Sequence, residues 1–278
     1  MASHTQALSR DPELLRVEQL SVRFGGIVAL NKVNFTVQPG TITALIGPNG
    51  AGKTTAFNCI TGFYKAHEGA IWLRDRDGQP QDMVQLQKGY FGGTHRVARA
   101  GIARTFQNIR LFSEMSVLEN LLVAQHQLLN RNIISGIFQL PRFRASEAGA
   151  LETARYWLKE VDLESSANLL AGSLPYGSQR RLEIARAMCT KPRLICLDEP
   201  AAGLNPRETE ELAKLIQKLR GTHQVTVMVI EHDMSLVMGI SDHVVVLNYG
   251  EVIASGPPDA VQKDPKVLSA YLGTEDEG

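Results

Sequence analysis

The stretch Thr41–Thr55, TITALIGPNGAGKTT, decides how the rest of the chain is read. Thr41–Ile46 is an apolar run of the kind found in strands buried on both faces. Gly47, Pro48, Asn49, Gly50, Ala51, Gly52, Lys53, Thr54 and Thr55 then match G-x-x-x-x-G-K-[ST]. From Ala56 to Gly62 the pattern is helical. A glycine-rich loop in this position lets the backbone curl until its N–H groups converge on phosphate oxygens. Lys53 can then reach the β- and γ-phosphates, and the Thr54 hydroxyl can ligate Mg²⁺.

Outward from this loop, other segments supply matching chemistry. In LICLDEP, Leu194–Pro200, four apolar residues deliver acids to the C-terminal end of a strand, where ligands gather in open α/β sheets. Asp198 is expected to hold Mg²⁺ through water. Glu199 is expected to orient or deprotonate the attacking water. Gln107, in ARTFQNIRLF, follows a short run at Ile102–Phe106. It either touches Mg²⁺ or the water, or is a solvated loop amide. His232, directly after VTVMVI, either hydrogen-bonds the γ-phosphate or serves the structure alone. Phe24 either stacks on adenine or belongs to a turn or the core. The stretch Ser173–Cys189, SLPYGSQRRLEIARAMC, crowds Pro175, Gly177 and Ser178 at a helix start, where outward N–H groups attract an anion. Leu182, Ala185 and Met188 share a face of that helix, with Arg181, Glu183 and Arg186 elsewhere.

The 278 residues carry 29 Lys and Arg against 29 Asp and Glu, so bulk charge gives no argument for a nucleic-acid partner. The three cysteines, Cys59, Cys189 and Cys196, form no CxxC pair and read as reduced core residues. The N-terminal MASHTQALSRDPEL lacks an apolar signal-peptide core, and no run is long enough to span a bilayer. Residues 1–13 read as a flexible tail. LRVEQLSVRF and VNFTV, between Leu14 and Val37, suggest strands, as do 70–73 (AIWL), 194–197, 225–230 and 243–247. From Val117 to about Leu170 the pattern is mostly helical, and 208–219 is a further helix. The expected architecture is an α/β core with antiparallel strands at the front and an inserted helical subdomain at about 108–172. It spans 14–253, with a C-terminal extension at 254–278.

Taken in order, Phe24, the loop, Gln107, the helix after Ser173, LDE and His232 resemble the nucleotide-binding subunits of ABC transporters. The resemblance implies a P-loop NTPase fold, ATP and Mg²⁺ as cofactors, and two ATPase subunits facing head to tail. Each ATP would lie between the loop of one subunit and the signature helix of the other, so Pro175, Gly177, Ser178 and Gln179 would act in trans. RFGGIVAL, RTFQNIRLF, VLENLLVAQHQ, QRRLEIARAM, DEPAAGLNP, IEHDMSLVMGISD and the tail GPPDAVQKDPKVLSAYLG are similar to the LivG-type subunit of branched-chain amino-acid importers. That similarity implies a second ATPase subunit (LivF-type, or another copy of this chain), two transmembrane permease subunits and, indirectly, a periplasmic amino-acid-binding protein. The chain itself would sit on the cytoplasmic face of the bacterial inner membrane.

Two positions depart from the family. Pro175 stands where a serine hydroxyl would contact phosphate, and it brings no N–H. It predicts a weakened contact, unless it is only a neutral helix-start residue. Asn205 replaces an aspartate that lines the dimer interface. Residues 108–122 and NRNIISGIFQLPRFR, 130–144, are expected to meet the membrane partner, with an ordinary helical hairpin as the alternative for the latter. Three other readings stand beside the importer. An ATPase for lipid or lipopolysaccharide export shares the AGLNP loop. A P-loop metabolic kinase or GTPase is disfavoured because the only Asn-Lys-x-Asp near-match, Asn31–Asn34, precedes the loop and ends in Asn. A non-hydrolysing scaffold is disfavoured by Glu199.

Overall fold

The computed structural model describes residues 13–88, 93–127 and 141–272. Two sheets organise the chain. The first is antiparallel, built from β1 (Leu15–Phe24), β2 (Ile27–Val37), β4 (Glu68–Arg74) and β5 (Pro80–Asp82), in the order β2-β1-β4-β5. The second contains β3 (Ile42–Ile46), β6 (Ile102–Arg104), β7 (Leu194–Asp198), β8 (Thr226–Ile230), β9 (His243–Asn248) and β10 (Glu251–Gly256). Its order is β10-β9-β3-β8-β7-β6, parallel except for the β9–β10 hairpin.

The second sheet is buried on both faces, which explains why its strands read as apolar runs and not as alternations. Side-chain direction alternates along a strand, and the core divides accordingly. Ile42, Ala44, Ile46, Ile195, Leu197, Val227 and Val229 face one cluster, together with Leu121, Trp157, Leu182 and Leu215 from the helices. Leu45, Leu194, Cys196, Met228, Ile230, Val245 and Leu247 face the other, with Phe57 and the apolar side of the antiparallel sheet. Truncating a residue such as Leu197 to alanine would cost about 2–5 kcal/mol. All three cysteines are buried and free, and burial pushes their thiols up to about 12.

Helical residues between β6 and β7 form one region closed at its base. Val117 N–H donates to Leu169, Leu118 to Ala167, Ala171 to Met115 and Gly172 to Ser113. Its helices within the described residues are Val117–Ala124, Pro141–Glu160 and Tyr176–Met188. Ser116 and Glu119 make a capping box on the first. Among the described residues no helix is long and apolar enough to cross a membrane.

Several boundaries differ from expectation. The helix after the glycine loop begins at Lys53, because Lys53, Thr54 and Thr55 form its first turn. Strand β10 runs through the boundary expected at residue 253. Its pairing with β9 is set by a tight Tyr249-Gly250 turn, both residues at positive φ, which local propensity at 251–256 does not announce. The 206–221 helix is longer at both ends than expected, its start fixed by Asn205 and by Pro206 at the first helical position. The tail 1–13 except Glu13, and most of the stretch 130–144, lie outside the described residues.

Candidate nucleotide site

The glycine loop joins β3 to the helix Lys53–Ile60 as the sequence requires. Gly47 has φ 148° and Gly52 φ 99°. A Cβ on Gly47 would meet the Leu247 carbonyl oxygen at 2.0 Å, and one on Gly52 would lie 2.5 Å from that of Ala29. Neither position admits a side chain. Lys53 is buried and turned into the loop, donating to the carbonyls of Gly47 at 2.7 Å and Pro48 at 2.9 Å. Burial lowers its pKa, and the negative charge of Glu199 opposes that shift. Asp198 ends β7, is buried, and is linked through Arg104 to Asn58 on the loop helix and Thr61 at its end.

Glu199 turns the chain immediately after β7. It adopts φ 45°, a left-handed conformation costly for a residue with a side chain and commonest at functional sites. The turn brings three expected residues together. Gln107 donates its amide N–H to Glu199 Oε2 at 2.7 Å. His232 Nε2 lies 2.7 Å from Glu199 Oε1, so the Nε2–H tautomer is the one that bonds the carboxylate. Both oxygens of the expected base are thus held by the two other expected polar residues, drawn from three distant parts of the sequence.

Phe24 is half exposed at the tip of the antiparallel sheet, with its ring edge-to-face against Tyr64 at 5.3 Å between centroids. The signature residues lie elsewhere, at the start of the helix Tyr176–Met188, where Pro175 occupies the capping position without a side-chain cap. Gly177 is buried, and a Cβ there would lie 2.6 Å from Glu208 Oε1. Ser178 Oγ accepts from Arg181 at 3.2 Å. Gln179 turns inward: its backbone N–H donates to Pro175 and its amide to Leu174, which leaves Gly177 and Ser178 nearer the helix tip.

Four features were not foreseen. Glu183, read as lying off the apolar face, is buried, because this helix is packed around much of its circumference. It pairs at 2.7 Å with Arg180, itself fully buried. Arg180 also donates to the carbonyls of Phe106 at 2.6 Å and Gln107 at 2.8 Å. Glu183 accepts from the N–H groups of Phe106 and Arg110. Burial pushes its carboxyl up, against the opposing pull of Arg180 and those N–H groups. The signature helix thereby grips the backbone that carries Gln107. A second unforeseen group is Arg104, paired with Asp198 at 2.6 Å. A third is Glu231, buried and accepting from Ala201 N–H at 2.7 Å and His232 N–H at 3.1 Å; burial raises its pKa. Finally, Asn205 is the N-cap of the following helix in a reciprocal box with Glu208. The i, i+3 spacing of Arg180 and Glu183 was visible, but nothing local marked that face as buried.

The donor set expected for Mg²⁺, a hydroxyl on Thr54, a carboxylate on Asp198 and the amide oxygen of Gln107, consists wholly of oxygen, as this hard cation requires. Among the described residues no group of three His, Cys, Asp or Glu could hold a metal unaided. The set fits a cation shared with phosphate and water.

Comparison with known proteins agrees with this geometry. A family model described as "ABC transporter" matches residues 30–202. The chain belongs to the ABC transporter family, as one of its ATPase subunits. A second model, "Branched-chain amino acid ATP-binding cassette transporter", matches residues 251–277, so β10 and the C-terminal helices are themselves a family feature. The chain is 55% identical over 260 residues to the high-affinity branched-chain amino acid transport ATP-binding protein BraF of Pseudomonas aeruginosa, covering 94% of this chain and 98% of that relative. It is 52% identical, with the same coverage, to LivG of Escherichia coli K12. Among solved structures, the ADP conformation of an ATP-binding cassette of an ABC transporter aligns with TM-score 0.75 and 32% identity. It covers 95% of this chain and all of that one. These ABC relatives favour amino-acid transport over lipid or lipopolysaccharide export.

Proposed function

We propose that the chain hydrolyses ATP as one ATPase subunit of a branched-chain amino-acid importer, on the cytoplasmic face of the bacterial inner membrane. The observation that carries the reading is the convergence of Gln107, Glu199 and His232 at the strand ends beside a complete glycine loop. Loop N–H groups from Gly47 to Thr55 would hold the phosphates, with Lys53 leaving its two carbonyls to neutralise the β- and γ-oxygens. Thr54, Asp198 and Gln107 would hold Mg²⁺, which when bound offsets phosphate charge. Glu199 would take the proton of the attacking water, with Gln107 and His232 aiming the carboxylate until substrate draws them away. Phe24 would stack on adenine.

Pro175, Gly177, Ser178 and Gln179 are proposed to face the nucleotide of a second ATPase subunit. The grip of Arg180 on Phe106 and Gln107 would couple that face to this chain's own site. The region from 108 to 172 is proposed as a helical subdomain reporting to two permease subunits. A cleft of about 340 Å³, lined in part by Phe63, His95, Arg104, Phe106 and Arg186, opens between it and the core and would suit a permease segment. LivF-type pairing and a periplasmic binding protein come from the relatives and belong to the same proposal.

Uptake of radiolabelled leucine tests this in cells lacking their own copy of the chain. The wild-type chain should restore uptake, and the Glu199→Gln variant, expressed to the same level, should not. Leucine uptake unaffected by loss of the chain would overturn the amino-acid assignment.

A further inference from the structure

Arg104 lies within the ARTFQNIRLF stretch but was given no role in the readings above, yet it holds the carboxylate on which the metal reading rests. It ends β6, an edge strand beside β7, and its guanidinium lies 2.6 Å from Asp198 Oδ2. Both side chains are more than nine-tenths buried, at 8% and 7% exposure. Among the described residues, Arg104 is the one cation within ion-pair distance of Asp198. Lys53 is committed to the loop carbonyls. The other arm of the guanidinium reaches Asn58 Oδ1 at 2.5 Å and Thr61 Oγ1 at 3.0 Å on the loop helix. Its plane lies near the rings of Phe63 and Phe106, at 5.3 and 5.1 Å. Arg104 Nε is buried with no partner, so the group is held by its ends and is not fully satisfied where it sits.

A buried carboxylate without a cation is costly, and an arginine beside a divalent cation is repelled by it. We propose that Arg104 is the counter-cation of Asp198 when no metal is bound, and that it competes with the divalent cation for that carboxylate. The inference rests on the reading of Asp198 as the metal-side acid. Two consequences follow. The metal site keeps its shape when empty, and its affinity is held down by a resident charge. Arg104 also precedes Phe106 and Gln107 by two and three residues. Displacing its guanidinium therefore disturbs the segment that orients Glu199.

Mn²⁺ binding provides the test, followed by loss of the free-ion electron paramagnetic resonance signal. The protein carries AMP-PNP, with nucleotide kept below protein concentration. Arg104→Met removes the charge and retains an apolar stem between the two phenylalanines. Arg104→Gln removes the charge and retains hydrogen-bonding reach, and it serves if the Met variant does not fold. Arg104→Lys keeps the charge. The neutral variants should bind Mn²⁺ about tenfold tighter than wild type. The Lys variant should stay close to wild type, and adding Asp198→Asn should abolish the gain. Unchanged or weaker Mn²⁺ binding in the neutral variants would overturn the competition and leave Arg104 a structural pin. A wild-type complex that binds no Mn²⁺ beyond free AMP-PNP would instead overturn the metal reading of the site itself.

Discussion

At Gly47–Thr54 the backbone is locked by contacts that a side chain at Gly47 or Gly52 would destroy, Lys53 is turned into the loop, and Gln107 and His232 converge on Glu199. At Leu174–Gln179 the chain begins a helix with an exposed proline at its cap, no capping side chain, and one of four expected contact residues turned inward. The first region reads as a finished half-site. The second presents helix N–H groups but is shaped mainly by what lies behind it: Arg180, Glu183 and Glu208. A pocket that must bind phosphate in one subunit is rigid from its own sequence. The surface proposed to meet phosphate only in a dimer is braced from within its own subunit, by Arg180, Glu183 and Glu208.

The largest expected effect tests that bracing. Arg180→Met leaves Glu183 buried without its partner and should cost about 3–5 kcal/mol in denaturant unfolding. Arg180→Met combined with Glu183→Leu should recover only part of the loss: the unpaired charge is gone, but the backbone groups of Phe106, Gln107 and Arg110 still lack their partners. A double variant no more stable than the single would show that the pair is not one unit. Pro175→Ser sharpens the contrast from the other side. Restoring a hydroxyl and an N–H at the tip should tighten ATP-dependent self-association of the Glu199→Gln chain by about a hundredfold, about tenfold for a hydrogen bond to a charged group at each of the two sites of a head-to-tail homodimer. Sedimentation at several protein concentrations measures it, and no change would make Pro175 a neutral helix-start residue.

The sequence was most legible where chemistry constrains the backbone directly. Gly47–Thr54, Asp198 and Glu199 could be read locally because only glycine fits at positions 47 and 52 of the loop and because a strand delivers its terminal acids to a fixed edge. Arg104 and Arg180 were not legible, because their importance lies in partners 94 and 73 residues away. Asn205 was read as a substitution at a dimer surface, whereas within this chain it caps a helix. Strand β10 went unrecognised because its partner, and not its own pattern, makes it a strand.

Two smaller effects refine these points. Asn205→Ala should lower unfolding stability by about 1 kcal/mol through loss of the cap, and Asn205→Asp should be close to neutral, since aspartate caps equally well. Equal losses in both variants would remove the capping account. Glu231 supplies a pH dependence. Its folded pKa lies above its unfolded value, so the folded state binds more protons between the two. Its contribution is fully present below the unfolded value and is lost as pH rises through the folded one. The Tm of Glu231→Gln should therefore fall less than that of wild type between pH 5 and pH 8.

The most direct test of the central claim, a complete cis half-site and a trans half-site that needs a partner, is the solution mass of the Glu199→Gln chain with and without Mg-ATP. Removing the expected base should trap bound nucleotide and any closed dimer. The account predicts a chain that binds ATP through the glycine loop yet dimerises weakly by itself, until a distinct ATPase subunit or Pro175→Ser strengthens the signature side. Tight ATP-driven homodimers of the Glu199→Gln chain would contradict the proposed inequality of the two half-sites, and failure to bind ATP would contradict the reading of Gly47–Thr55.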